Sequence, residues 1–131
     1  MSIFVPISPG ELVDKLTILE LKATKLRELG SLEMLRDVQR EREQLRTLEQ
    51  RELPASAKLG QLRAELAAIN GALWAIEDDI REHERTHDFG ARFVELARSV
   101  YMTNDRRAAV KREINELLGS ELREHKAYAS Y

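Results

Sequence analysis

From Leu59 to Ile80 the chain carries leucine or isoleucine at positions 59, 62, 66, 69, 73, 76 and 80. Alternating gaps of three and four residues bring all of these side chains onto one stripe of an α-helix. On a strand the same spacing would scatter them over both faces. The stripe calls for a helix of ~29 residues, about 43 Å long at the helical rise. A stripe of that length has to be covered by other helices. This feature alone points to an all-α chain.

The flanking sequence follows the same rule. In "ISPGELVDKLTILELK" Ser8 stands as an N-cap, Pro9 at the first helical position and Glu11 where it would close a capping box. Ile7 and Leu12 occupy the staple positions. Leu12, Leu16, Leu19, Ala23 and Leu26 then repeat at helical spacing, while Val13, Ile18 and Leu21 lie on other faces. A helix apolar on most sides is expected to be buried among several partners. Gly30 ends it and Ser31 opens a second helix. Its stripe of Leu35, Val38, Leu45 and Leu48 is thin and broken by Arg42, and "QREREQLRTLEQRE" reads as a solvated, ion-paired surface. Pro54 separates it from the long leucine helix. A fourth helix is expected from Asp88 to Leu118, with Phe93, Leu96, Val100, Val110, Ile114 and Leu118 inward and Gly119 at its C′ position.

Helices are thus expected at about residues 9–29, 31–52, 57–86 and 89–118, with a tail over 120–131 holding a helical turn or two. The expected fold is a single domain, residues 1–131, built as an antiparallel up-down bundle of four helices. It becomes three long helices if the chain runs on through Gly30-Ser31.

Composition narrows the function classes. The chain has no cysteine, which removes disulfides, thiolate zinc sites and thiol catalysis. A net charge of −2 gives no general attraction to nucleic acid. The cations between Arg98 and Arg112 point all round their helix, with no aromatic stacking platform beside them. "MSIFVPI" has neither a basic leader region nor a cleavage site, and no run reaches the ~18 apolar residues of a membrane span. The expectation is a cytoplasmic, soluble protein with no nucleic-acid or membrane partner and no cofactor.

The fourth helix interrupts its apolar stripe. At 100° per residue Arg107 falls at the centre of the inner face, with Lys111 and Asn104 beside it and Thr103 on the other flank. On the first helix Glu20 lies between Val13 and Leu16, and Asn70 and Glu77 flank the seam of the third. If the helices stand side by side, Glu20, Asn70, Asn104 and Arg107 fall at about one level, some 17–22 Å along. Glu77 then sits higher and Lys111 lower. Such a layer has two readings. It is a paired network that fixes helix register, since an unpaired buried charge costs several kcal/mol. Or it is a site in which Arg107, Lys111 and Asn104 hold a carboxylate or phosphate.

"HERTH" matches the His-Glu-x-x-His pattern of zinc enzymes at His83, Glu84 and His87, and Gly90 falls at the metzincin glycine spacing. Two histidines four apart share a helix face, and Glu84 could serve as general base. Against it, the third ligand position is Phe93, His87 lies at a helix end, and the chain offers no strand to present a substrate. The pattern is read as two histidines at a helix terminus, with no metal site expected.

"ISPGELVDKLTILELK", "ALWAIEDDIR" and "FGARFVELARSVYMTNDRRAAVKREINELLGS" together resemble a family of small bacterial proteins of unknown function, of about this length. Some of its members are encoded beside glycosyltransferases of lipopolysaccharide and surface-polysaccharide synthesis, or carry that label. The resemblance implies an accessory role in glycan assembly, with no known activity. Its pattern covers Glu11, Asp14, Lys15, Glu77, Asn104, Asp105, Lys111 and Asn115, and brings no catalytic assignment. The leading expectation is a non-enzymatic helical module that binds a protein, a glycosyltransferase by this resemblance, and self-associates. The alternative is a small-molecule enzyme that binds an anion or metal in the polar layer.

Overall fold

Gly30 decides how many helices there are. It sits in the left-handed region at φ 72°, where its N–H donates to the Arg27 carbonyl and the Ser31 N–H to the Leu26 carbonyl. This closes the first helix and turns the chain back. The computed structural model describes residues 1–131 and contains α1 (Pro9–Leu29), α2 (Leu32–Glu52), α3 (Ala57–Arg85) and α4 (Ala91–Leu117), with no strand. The expected all-α, four-helix architecture is what the chain adopts.

Local chemistry sets the ends. Ser8 and Ser56 cap α1 and α3 by accepting the Glu11 and Leu59 N–H groups. Asp88 was expected to open the last helix, but Gly90 holds the N-cap position without a side-chain bond. Asp88 is spent on the turn instead. Its carboxylate accepts the Gly90 N–H, while its carbonyl faces His83 Nδ1 at 3.0 Å. Gly119 takes the left-handed conformation after α4 (φ 64°), as its position suggested. The tail beyond it forms no helical turn, contrary to expectation. Its polar side chains find partners on α4, so it lies back along that helix as irregular chain.

The helices form two hairpins, α1–α2 and α3–α4. As α1 advances from Gly10 to Asp14, its α4 partners retreat from Asn115 to Arg107. As it advances from Asp14 to Glu20, its α3 partners retreat from Asn70 to Arg63. The short connection after α3 folds α4 back against it, so those two run in opposite directions. α1 can oppose both only by lying across the hairpin rather than along it.

The crossing concentrates the core. Val13 of α1 joins one buried cluster with Leu59, Leu62, Leu66 and Ile69 of α3 and Val110 and Ile114 of α4. Beyond the crossing, Leu73, Ile76, Ile80, Phe93 and Val100 are only half-buried, although they continue the same stripes. α2 packs on α1 and buries a single side chain, Leu35, as its thin stripe foretold. No helix is long and apolar enough to cross a membrane.

Candidate functional site: a polar junction of α1 and α4

At the crossing two polar stripes face each other. Gly10, Asp14 and Thr17 follow helical spacing on α1, and Asn104, Arg107, Lys111 and Asn115 do so on α4. Contact begins at Gly10, whose N–H donates to Asn115 Oδ1 at 2.7 Å. A Cβ at this position would stand 2.5 Å from the Lys111 carbonyl oxygen, so only glycine lets α1 start so close to α4. The first N–H groups of α1 are therefore already used, by Asn115, by Ser8 Oγ and by the Ser8 carbonyl. "SPGE" is a cap and a point of close approach between α1 and α4. Glu11 does not complete the capping box. Its carboxylate turns to Lys111 Nζ at 2.8 Å, where a full opposite charge outbids a backbone N–H.

Asp14 is the hub, with 1% of its side chain exposed. Its carboxylate accepts Arg107 Nε at 2.9 Å and Arg107 Nη2, a two-pronged pairing, and Asn70 Nδ2 at 2.9 Å. Asn70 also donates to Thr17 Oγ1 at 3.0 Å, and that hydroxyl donates to the Asp14 carbonyl at 2.8 Å. A carboxylate this deep is tolerable only because guanidinium and amide replace its water shell. The same pairing raises the Arg107 pKa against the opposing effect of burial.

Lys111 lies alongside, its ammonium held by Glu11 and by Glu124 at 3.0 Å, with Asp14 at 3.9 Å. Burial alone would push its pKa down, but the hydrogen bonds it donates to Glu11 and Glu124, with the charges of Glu11 and Asp14, outweigh that and leave it raised. The lysine stays a cation in a site that water reaches from one side.

That side is an open groove of about 670 Å³. Asn104, Arg107, Ala108 and Lys111 form its floor, Val100, Tyr101 and Asp105 one wall, and the tail from Glu124 to Tyr128 the other. The tail is fastened at separate points. Besides Glu124 on Lys111, Lys126 Nζ lies 3.2 Å from Asp105, the Tyr131 hydroxyl donates to the same carboxylate, and the Tyr131 ring packs on Tyr101 at 5.3 Å. Tyr131 first and Lys126 second hold the Asp105 pKa below its ordinary value. A second groove, lined by Ile18, Leu21, Leu73 and Trp74, meets Arg107 from the far side of the crossing.

Four of the residues singled out from sequence converge here: Asn70 and Arg107 on Asp14, Lys111 beside them, and Asn104, whose Oδ1 lies 3.5 Å from Arg107 Nη1. Glu20 does not join them, and Glu77 meets them only at the second groove, which Asn70 and Arg107 also line. Glu20 takes Arg63 through both guanidinium Nη atoms at 2.9 and 3.2 Å, and Glu77 makes an exposed pair with Arg81 of its own helix. The level estimate put Glu20 in the layer by treating the helices as parallel posts; α1 crosses, so height along it does not measure height in the molecule. His83, Glu84 and His87 stay apart as well. His83 is engaged by Asp88, His87 is twisted into the turn at φ 54°, and no three potential metal ligands converge anywhere.

The reading of helix faces missed Asp14, Thr17 and Asn115, of which the resemblance covers Asp14 and Asn115, and it misassigned Glu11. The 4-3 spacing of Gly10, Asp14 and Thr17 was the available signal. Of the residues covered by the resemblance, Glu11, Asp14, Asn104, Asp105, Lys111 and Asn115 gather at this junction, while Lys15 pairs with Glu41 on α2 and Glu77 lies on α3. Chemically the junction can receive an anionic group on Lys111 and Arg107, and hydroxyl or amide groups on Asn104 and Asp105.

A family model described as a family of unknown function (DUF6165) matches residues 3–131. Comparison with curated proteins and with solved structures finds no match.

Proposed function

We propose that this chain, which belongs to the DUF6165 family of unknown function, binds a small polar molecule bearing a carboxylate or phosphate on the α4 floor of this groove, at Arg107 and Lys111. One observation carries this reading. The buried carboxylate of Asp14 fixes Arg107, and Glu11 holds Lys111 beside it, at the floor of an open groove. Preorganised cations of that kind recognise an anion at little ordering cost. The tyrosine ring of Tyr101 and the amide of Asn104 add a flat apolar face and hydrogen-bonding capacity, which suits an anionic sugar. That chemistry agrees with the accessory role in lipopolysaccharide or other surface-polysaccharide glycosyltransfer that the resemblance implies. Glu11, Asp105 and Glu124 are all committed to ion pairs, which favours binding over proton transfer.

Thermal-shift titration with inorganic phosphate, sugar phosphates, sugar nucleotides and dicarboxylates tests the reading. A selective rise in Tm is expected; a ligand at a hundred times its Kd adds about 2.7 kcal/mol. Lys111→Gln should abolish the rise. A flat screen, or a rise that survives Lys111→Gln, would overturn the proposal.

A second reading, a protein-binding module, has its own support. Ile3, Phe4 and Val5 are 77, 94 and 66% exposed, an apolar extended arm with no partner in its own chain. Self-association through this arm predicts a concentration-dependent mass by light scattering, reduced by Phe4→Ser. A mass of one chain at every concentration removes it.

A further inference from the structure

The tail supplies the groove with an anion of its own. Glu124 has no counterpart in helix packing: it belongs to irregular, exposed chain, yet its carboxylate sits 3.0 Å from the most enclosed cation of the groove. Resting on the ligand-binding reading above, we propose that Glu124 occupies the place of the ligand's acidic group, and that binding of a carboxylate or phosphate displaces the tail from α4.

Charge supports the exchange. Without Glu124, Lys111 and Arg107 face Glu11 and Asp14, two cations against two anions. With Glu124 seated, one negative charge is added to that set. A monoanionic ligand in its place leaves the local charge unchanged, so the swap meets no electrostatic penalty. Glu11 is not the group to leave, because it is built into the first turn of α1. The docked tail is also complementary at two points: its anion Glu124 meets the cation Lys111, and its cation Lys126 meets the anion Asp105.

The fastenings are weak enough to yield. Glu124 is 50% exposed, although its partner Lys111 is only 9% exposed and keeps Glu11 when Glu124 leaves; Asp105 is 42% exposed, and ion pairs with an end open to water contribute little. No large apolar side chain of the tail is buried: Leu122, Tyr128 and Tyr131 all remain exposed. A dissolved anion can take the place of Glu124 on Lys111, and water can take over the exposed contacts that Lys126 and Tyr131 make with Asp105.

Full-length Glu124→Gln tests this, with the backbone order of residues 122–131 followed by ¹⁵N relaxation and binding followed by titration with inorganic phosphate on the acid side of its second ionisation, where it is a monoanion, and, separately, acetate. In the native chain the anion should loosen the tail. In Glu124→Gln the tail should be loose from the start, and the preferred anion should bind about two- to fivefold tighter, the scale of one exposed pair. Tyr131→Phe should loosen the tail without touching the cations, and tighten binding less. If the anion binds native and variant chains equally and the tail stays ordered, the displacement proposal falls while the ligand site stands. If neither anion binds either chain, the ligand reading falls and this one with it.

Discussion

Two arginines tie α1 to the α3–α4 hairpin, and both have 28% of their side chain exposed. Arg107 grips Asp14, and Arg63 grips Glu20 with Glu49 nearby. Both pairings to the main partner use two prongs. The difference lies in the carboxylate: Asp14 is 1% exposed and Glu20 36%. Asp14 has no water to return to, so its charge depends wholly on its protein donors. Glu20 and Glu49 can trade Arg63 for solvent. Similar geometry on the cation side therefore conceals different roles. One pair is a condition for packing α1 against α4; the other is a tether that also reaches α2.

The sharpest way to break the contrast is Arg107→Ala. It strips Asp14 of its main counter-charge, with only Asn70 and a lysine 3.9 Å away remaining. Removing one partner of a buried pair costs about 3–5 kcal/mol. The guanidinium is partly wetted, so the lower end, about 3 kcal/mol, is expected. For a chain of this size that lowers Tm by roughly 10 °C, measurable by calorimetry or by circular dichroism. A loss under about 1 kcal/mol would put Asp14 in the same class as Glu20, and the role assigned to burial would fail.

Sequence showed the cation of this pair and hid the anion. Arg107 was conspicuous because it interrupts an apolar stripe on a helix whose inward face is marked by Val100, Val110 and Ile114. Asp14 was inconspicuous because α1 is apolar on most sides, so no single face could be named as inward and a polar residue among many apolar neighbours looked like an exposed one. The leucine periodicities set the helical class and approximate ends, since those depend on neighbours along the chain, and left the choice between three and four helices to Gly30. They held no information on the crossing of α1 over the hairpin. That crossing comes from Gly10 seating against the Lys111 carbonyl and from Val13 entering the α3–α4 seam, both contacts across about a hundred or about fifty residues of chain. Glu20 was misplaced for the same reason. The groove wall was out of reach too, because the tail carries no periodic signal and is positioned by single polar contacts with Lys111 and Asp105.

Arg63→Ala is the complementary and smaller test. The substitution releases Glu20 and Glu49 into solvent that already reaches both, and no buried charge is stranded. The expected loss is under about 1 kcal/mol, a Tm change of a few degrees. Salt separates the two arginines further. At about 1 M sodium chloride the screening length falls to roughly 3 Å, so the difference between native chain and Arg63→Ala should nearly vanish. The Arg107→Ala difference should persist, because ions cannot enter around Asp14 to replace what was removed. Urea unfolding of the three proteins at low and high salt gives all four differences. If Arg63→Ala costs as much as Arg107→Ala and resists salt equally, then the junction of α2 with α3 is as tightly built as the crossing, and exposure of the carboxylate is not what separates the two pairs.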